Sequence, residues 1–238
     1  MKIALFGHGA MGRLVEERAR AEGHEIALVI TSRDAAQDAD EIAAQLRGLD
    51  AAIDFSVAGA VAMNVAACVQ ANMPIVIGTT GWREQEQEVR RLVEAQNGAL
   101  VFGANFSVGV NLFYRIVKRA AELFVGFETY APFIEEAHHS RKRDAPSGTA
   151  LKLRDLLAAQ YGERDISVAS TRAGFIPGTH RVGFDSAADQ IMLAHTARSR
   201  EGFAAGALVA ARWIVGRRGV YEFGEVIEEM LKERMNEP

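Results

Sequence analysis

The densest chemistry in the chain lies in one run, Glu135-Glu136-Ala137-His138-His139-Ser140-Arg141-Lys142-Arg143-Asp144-Ala145-Pro146-Ser147-Gly148-Thr149-Ala150. It holds two imidazoles, three cations and a helix start. An imidazole titrates near neutral pH and is suited to passing a proton. Pro146-Ser147-Gly148-Thr149 reads as a cap and first helical turn. The exposed N–H groups of such a turn, with Lys142 beside them, can hold a carboxylate. The run is therefore a candidate for binding an acidic substrate and moving a proton on it. Local physics leaves three other readings: a solvated basic loop, a nucleic-acid patch or a metal site. The formal net charge of −4 disfavours a nucleic-acid patch. Adjacent histidines, without HExxH or paired cysteines, lack the usual zinc-ligand spacing.

A second constellation opens the chain. Gly7-His8-Gly9-Ala10-Met11-Gly12 follows an apolar run and precedes a helical pattern. In a dinucleotide-binding turn the first glycine permits the tight bend. The second lets backbone approach a pyrophosphate, and the third allows close helix–strand contact. After the next apolar run comes Thr31-Ser32-Arg33-Asp34, where an NAD-specific site usually has an acid contacting ribose hydroxyls. A hydroxyl and a guanidinium favour a 2′-phosphate, hence NADPH, while Asp34 leaves NADH usable; a solvated loop arginine is the other reading of Arg33. Gly78-Thr79-Thr80-Gly81 and Gly103-Ala104-Asn105-Phe106-Ser107 each follow a short apolar run. They could line a nicotinamide and its ribose or floor the cleft, although Gly78 to Gly81 also fits an ordinary turn. Asp54-Phe55-Ser56 is a weaker signal of the same kind.

These loops need a scaffold that brings them together. Strands are expected at Lys2–Phe6, Glu25–Ile30, Ala51–Asp54, Pro74–Ile77 and Ala99–Phe102, with helices at Met11–Glu22, Asp38–Leu46, Val57–Ala71 and Arg83–Ala95. The alternation implies a Rossmann-type parallel sheet with helices on both faces and ligands at the strands' carboxyl ends. Beyond about Asn105 the rhythm becomes α+β with a mixed or antiparallel sheet. There the reading gives a helix at Val110–Phe124, a strand at Phe133–His138 and a helix at Thr149–Tyr161. Strands near His180–Phe184 and Gln190–Ala197 and helices at Gly202–Val215 and Glu225–Arg234 complete it. Residues 1–107 form the expected dinucleotide domain and 108–200 a substrate-binding and oligomerisation domain, with the helices of 201–238 packing back on the first.

Composition supports a globular protein: of 238 residues, 49 % are apolar and 24 % charged. The single cysteine, Cys68, can form no internal disulfide and sits in an apolar stretch, so it is expected in the core. The uncharged run from Phe55 to Trp82 is interrupted by Ser56, Asn64, Gln70, Asn72 and Pro74, so a buried helix followed by a buried strand fits it better than a membrane span. A strand pattern from Met1 onward leaves no room for a signal peptide. These features together suggest a cytoplasmic protein.

The chain resembles the 4-hydroxy-tetrahydrodipicolinate reductase (dihydrodipicolinate reductase) family. The resemblance runs through most of its length and rests on GHGAMG, IDFS, VIGTTG, ANFSVGVNL, EEAHHSRKRDAPSGTAL, GTHRVGF and HTARSREGFAAGA. It implies NAD(P)H-dependent reduction of a cyclic imine dicarboxylate in lysine and diaminopimelate biosynthesis. It further implies His138 as the acid/base residue, with Lys142 as its cationic partner. His139, Gly148 and Thr149, with Ser147 nearby, become substrate-carboxylate contacts. The nucleotide loops become Gly7 to Gly12, Gly78 to Thr80 and Gly103 to Phe106, with Arg33 at the 2′-phosphate. Family members are commonly homotetramers joined through the second domain's sheets. The glycine loop here is one residue shorter than in many relatives and carries His8. Another two-domain NAD(P)-dependent amino-acid or semialdehyde dehydrogenase is the alternative. A thioester-forming semialdehyde enzyme, however, needs a placed nucleophilic cysteine.

Overall fold

Ile3, Ala4, Leu5 and Phe6 are all buried, so β1 (Lys2–Phe6) has no solvent-facing side beyond its first residue. Such a strand belongs inside a sheet covered on both faces. In the computed structural model, which describes residues 1–34, 37–162 and 164–236, β1 pairs in parallel with β2 (Glu25–Ile30) and β3 (Ala51–Asp54). The sheet continues through β4 (Ile75–Ile77) and β5 (Ala99–Phe102). Its last member, β10 (Gly219–Glu222), comes from the far end of the chain and pairs in parallel with β5. The order is β10-β5-β4-β3-β1-β2. Sequence periodicity gave no sign of β10, because its four residues are short, only partly buried and hemmed in by helices.

The connections follow from local sequence. α1 (Ala10–Ala21) starts directly after the glycine loop. α2 (Ala39–Leu46) begins at a capping box in which Asp38 accepts from the Glu41 N–H and Glu41 accepts from the Asp38 N–H. The run expected as one helix from Val57 is a 3₁₀ turn, Ala58–Ala60, followed by α3 (Val61–Gln70). α4 (Glu86–Ala95) is likewise preceded by a 3₁₀ turn at Arg83–Gln85. Cys68 is fully buried on α3. No helix among the described residues is long and apolar enough to cross a membrane.

The chain forms two units: Met1–Val108 with the segment from Arg200 onward, and Gly109–Ser199. Within the first, α7 (Glu201–Ile214) lies on β3, β4, β5 and α1, and small buried residues at Ala204, Gly206, Ala207, Ala210 and Ala211 allow the close approach. α8 (Phe223–Asn236) follows β10. Because β2 lies on one side of β1 and β3 on the other, the chain reverses direction across the sheet at β1/β3. A crevice opens at the carboxyl ends of strands at such a point.

The second unit contains α5 (Val108–Phe124) from its second residue onward, β6 (Ala131–His138), α6 (Gly148–Tyr161), β7 (Ser167–Arg172), β8 (Thr179–Asp185) and β9 (Gln190–Thr196). Its sheet has the order β7-β6-β8-β9. β6 and β7 run parallel while the other pairs are antiparallel, so the sheet is mixed. β7 is absent from the sequence reading because Ser167, Ser170 and Thr171 are polar and largely exposed, and the alternation expected of a half-buried strand is missing. Phe113, Val117 and Ala121 of α5 and Leu153 and Leu157 of α6 bury the sheet face that carries Ile134, Val182 and Phe184.

Candidate active site

The loops singled out in the first unit meet at the carboxyl ends of its strands. Gly7 follows β1 with φ +87°, a conformation that favours glycine, and its N–H donates to the Ile30 carbonyl at 2.8 Å. A Cβ there would stand 2.5 Å from the Phe55 carbonyl oxygen. One at Gly12 would overlap the Gly7 carbonyl, which is the close helix–strand approach expected of the third glycine. Around Gly9 there is open space, and no side chain caps α1, whose first turn carries no acid. His8 turns toward α1, with Nε2 2.6 Å from Glu16 Oε2. Ala10 is exposed and Met11 half-buried at the head of the helix.

Met11, Phe55, Gly78, the loop Gly103–Phe106, Arg200 and Phe203 line a cleft of about 220 Å3. Gly78 is required by Phe55, whose ring a Cβ would overlap. Thr79 is buried, and its hydroxyl donates to Asp54 Oδ1 at 2.8 Å, so its side chain is turned to β3 and Thr79 is not among the residues that line the cleft. Asp54 is fully buried at the end of β3 and also accepts from Ser56 N at 2.7 Å and Asn64 Nδ2 at 2.8 Å, so one carboxylate fixes the loops after β3 and β4. Thr80 and Ala104 are exposed. The Asn105 side chain accepts from Ser107 N at 2.9 Å, and Phe106 packs on Phe223 with ring centroids 4.7 Å apart. Arg33 is exposed in a 3₁₀ turn after β2; the Asp34 side chain lies outside the described part. A groove built from glycines at sites where a Cβ would clash, facing an uncapped helix start, fits a dinucleotide.

The second unit assembles the histidine run. β6 alternates buried and half-buried residues, so Glu136 and His138, two apart, share the buried face. His138 Nδ1 lies 2.9 Å from Glu136 Oε2. Glu136 Oε1 accepts from Arg172 Nη2 at 2.6 Å, Ser170 Oγ at 2.7 Å and Ser147 N at 3.2 Å. Burial opposes the Glu136 charge, but these donors outweigh it and hold its pKa at about 2. His180, on β8, reaches Ser147 Oγ at 3.1 Å, and burial among His138 and its other neighbours pushes its pKa down to about 4. Burial also lowers the pKa of His138, with Lys142 and Arg172 acting in the same direction and Glu136 against it. Ser147 caps α6, its Oγ accepting from Ala150 N at 3.2 Å, and Gly148 is exposed at the first turn with half-buried Thr149 beside it. Lys142 pairs with Asp144 at 2.8 Å, and His139 is half-buried. Glu136, His138 and His180 approach closely enough to share a metal ion, yet the Arg172 guanidinium already neutralises the carboxylate they would offer.

His138, Lys142, His139, Ser147, Gly148 and Thr149 lie in one run of sequence, and the fold brings Glu136, Ser170, Arg172 and His180 to its histidine end. The signal available for Glu136 was its two-residue spacing from His138 on a strand. Ser170, Arg172 and His180 are set beside them only by strand register. Arg200 and Phe203 were likewise not singled out as cleft residues, being about a hundred residues removed from the loops they join.

Comparison with known proteins bears on both units. Residues 1–106 match the dihydrodipicolinate reductase N-terminus, and residues 109–227 the dihydrodipicolinate reductase C-terminus. A 4-hydroxy-tetrahydrodipicolinate reductase of Christiangramia forsetii is 35 % identical over 98 % of this chain and 100 % of its own length. One from Archaeoglobus fulgidus is 35 % identical over 96 % of this chain and 100 % of its own. The fold resembles that of a dipicolinate-bound dihydrodipicolinate reductase from Paenisporosarcina sp. TG-14, with TM-score 0.79, 22 % identity and coverage of 95 % of this chain and 99 % of the other. The dinucleotide-type fold, the glycine groove and the matches to both halves of the family define a nicotinamide-dependent oxidoreductase. The chain belongs to the dihydrodipicolinate reductase family, the NAD(P)H-dependent reductases of lysine biosynthesis.

Proposed function

We propose that the chain reduces 4-hydroxy-tetrahydrodipicolinate to tetrahydrodipicolinate, with His138 as the acid/base residue and Lys142 as its cationic partner. The observation that carries this reading is the meeting of a buried imidazole with the first turn of α6 around one carboxylate. The nicotinamide, when bound, supplies the hydride. The substrate must also gain a proton and lose its 4-hydroxyl as water. The protein's part is to hold the dicarboxylate and deliver that proton. Nδ1 of His138 faces Glu136, which leaves the Nε2 edge, beside Gly178, for the substrate. The first turn at Gly148 and Thr149, with Ser147 and His139, receives a carboxylate through backbone N–H groups and the helix dipole. Lys142 adds a cation that favours the developing negative charge.

For the cofactor we assign the backbone of Gly7, His8, Gly9, Ala10, Met11 and Gly12 to the pyrophosphate. Gly78, Thr79, Thr80, Gly103, Ala104, Asn105 and Phe106 are assigned to the nicotinamide end, and Arg33 to a 2′-phosphate. NADPH is accepted, and NADH as well. The enzyme is a cytoplasmic homotetramer joined through the second unit's sheets, a reading supported by Met192, an apolar side chain exposed on the other face of β9 from Leu193.

The test is NADPH and NADH oxidation on freshly generated substrate, with His138→Ala in parallel. The variant is expected to lose about 10²- to 10⁴-fold in kcat, the usual worth of a placed general acid. A folded, cofactor-binding enzyme that oxidises neither cofactor would overturn the proposal.

A further inference from the structure

Each of the four strands of the second sheet places a polar residue at one level. Ser170 of β7 lies opposite Glu136 of β6, Glu136 opposite His180 of β8, and His180 opposite His195 of β9. Partners in register point to the same face. Two residues back along β6, the same face carries Ile134 opposite Val182, itself opposite Leu193. The sheet's covered face thus passes from apolar to polar in a single step, with Glu136 inside the polar row.

Glu136 is 3 % exposed, and a buried carboxylate is costly unless donors surround it. Its Oε1 has three. Its Oε2 is buried without a hydrogen bond, and so is His138 Nδ1. The two atoms lie 2.9 Å apart, off the line a hydrogen bond needs. His180 Nε2 stands farther from Oε2, at 3.9 Å, and is engaged with Ser147. A buried acceptor and a buried donor at that distance are each other's natural partners. A small rotation of the ring aligns them, as catalytic contacts tighten when substrate arrives.

We infer that Glu136 is the positioning residue of this site: it turns His138 through Nδ1 so that the mobile proton rides on Nε2, and through the Ser147 N–H it ties the carboxylate-binding turn to the same anion. This rests on the reading of His138 as proton donor. Two further contacts fit it. Arg172 Nη2 also donates to the Asp144 carbonyl at 2.6 Å, so the loop between His138 and α6 is fastened to the same ion pair. Gly178, at φ +139°, would place a Cβ 3.2 Å from His138 Nε2, and glycine keeps that edge clear.

The groups facing His138 are Glu136 on its own strand, Arg172 on β7, His180 on β8, and Lys142 and Asp144 in the loop. Burial, Lys142 and Arg172 favour the neutral ring, while Glu136 and Asp144 favour the imidazolium. Deleting the Glu136 charge therefore moves the His138 titration to lower pH. An enzyme that needs the imidazolium then loses activity at lower pH.

The experiment compares the parent, Glu136→Gln and His138→Ala by ¹⁵N-histidine NMR titration and by kcat and KM against pH. In Glu136→Gln the His138 titration and the alkaline limb of kcat are expected to fall together by about one unit, which is about tenfold in kcat above that limb, with the KM for NADPH unchanged. If Glu136→Gln does not fold, the parent spectrum decides. Neutral His138 protonated on Nδ1 supports the inference, and protonation on Nε2 overturns it. Full activity in His138→Ala would bring down the proton-donor reading itself. An inactive His138→Ala beside an unmoved titration and limb in Glu136→Gln would bring down the positioning role alone.

Discussion

Gly206 of α7 lies so close to Phe106 that a Cβ would overlap the Phe106 carbonyl oxygen. Phe106 closes the loop after β5, lines the cleft and packs on Phe223. The helix that follows the second unit therefore sets the position of a cleft wall built from the loop after β5.

Replacing Gly206 with alanine must move either α7 or that loop. Overpacking of this kind costs about 1–3 kcal/mol. Gly206→Ala is expected to lower stability by that amount in urea unfolding and to weaken NADPH binding in a fluorescence titration. Parent-like values in both would show that the loop gives way freely.

Gly78 and Gly9 make a contrasting pair. At Gly78 a Cβ would overlap the Phe55 ring, whereas around Gly9 there is open space. Gly78→Ala should therefore lower the Tm as well as cofactor affinity. Gly9→Ala should keep the parent Tm and still lose affinity, because its methyl occupies the space a pyrophosphate needs. Unchanged binding in Gly9→Ala would argue against the phosphate role of this loop.

Arg33 is exposed and acts, on the proposed reading, only on a 2′-phosphate. Losing one charge-assisted hydrogen bond, about 1.5–3 kcal/mol, corresponds to roughly 10- to 100-fold in affinity. Arg33→Ala is expected to raise the Kd for NADPH within that range and leave that for NADH unchanged. An equal change for both cofactors would remove Arg33 from the specificity determinants.

His180 gives a pH signature in stability. Burial lowers its pKa from 6.5 to about 4 in the folded protein. Between those values the unfolded chain takes up a proton that the native state refuses, so stability falls as pH falls through that window. One such group contributes a slope of at most about 1.4 kcal/mol per pH unit. His180→Asn should flatten the parent's dependence between pH 6.5 and about 4. An identical slope in the variant would mean that His180 titrates normally.

How much of this was legible in sequence varies by residue. β1, β3 and β5 were readable because strands buried on both faces are short, continuous apolar runs. The glycine groove was readable because backbone clashes, rather than distant side chains, dictate Gly7, Gly12 and Gly78. The run from His138 to Thr149 was readable because its groups are contiguous. Glu136 stood in plain view but looked like one of two acids, and what separates it from Glu135 is the strand alternation that puts it on the buried face with His138. Ser170, Arg172, His180 and His195 join it through pairings across the sheet, a relationship that no local pattern encodes. β10 was missed for a related reason: pairing with β5, more than a hundred residues earlier, makes Gly219–Glu222 a strand.

That late strand has a consequence for how the molecule comes into being. During synthesis the open edge of β5 and the sheet face that α7 covers remain without their partners until residues beyond Arg200 have left the ribosome. The second unit, Gly109–Ser199, has by then emerged in full, with its strand partners and helices contiguous. Translation thus completes the cofactor-binding unit after the second unit, although Met1–Val108 are made before it. An unpaired parallel edge is a site for wrong association while it waits. The interval between β5 and β10 is therefore one in which the nascent chain carries an unpaired strand edge.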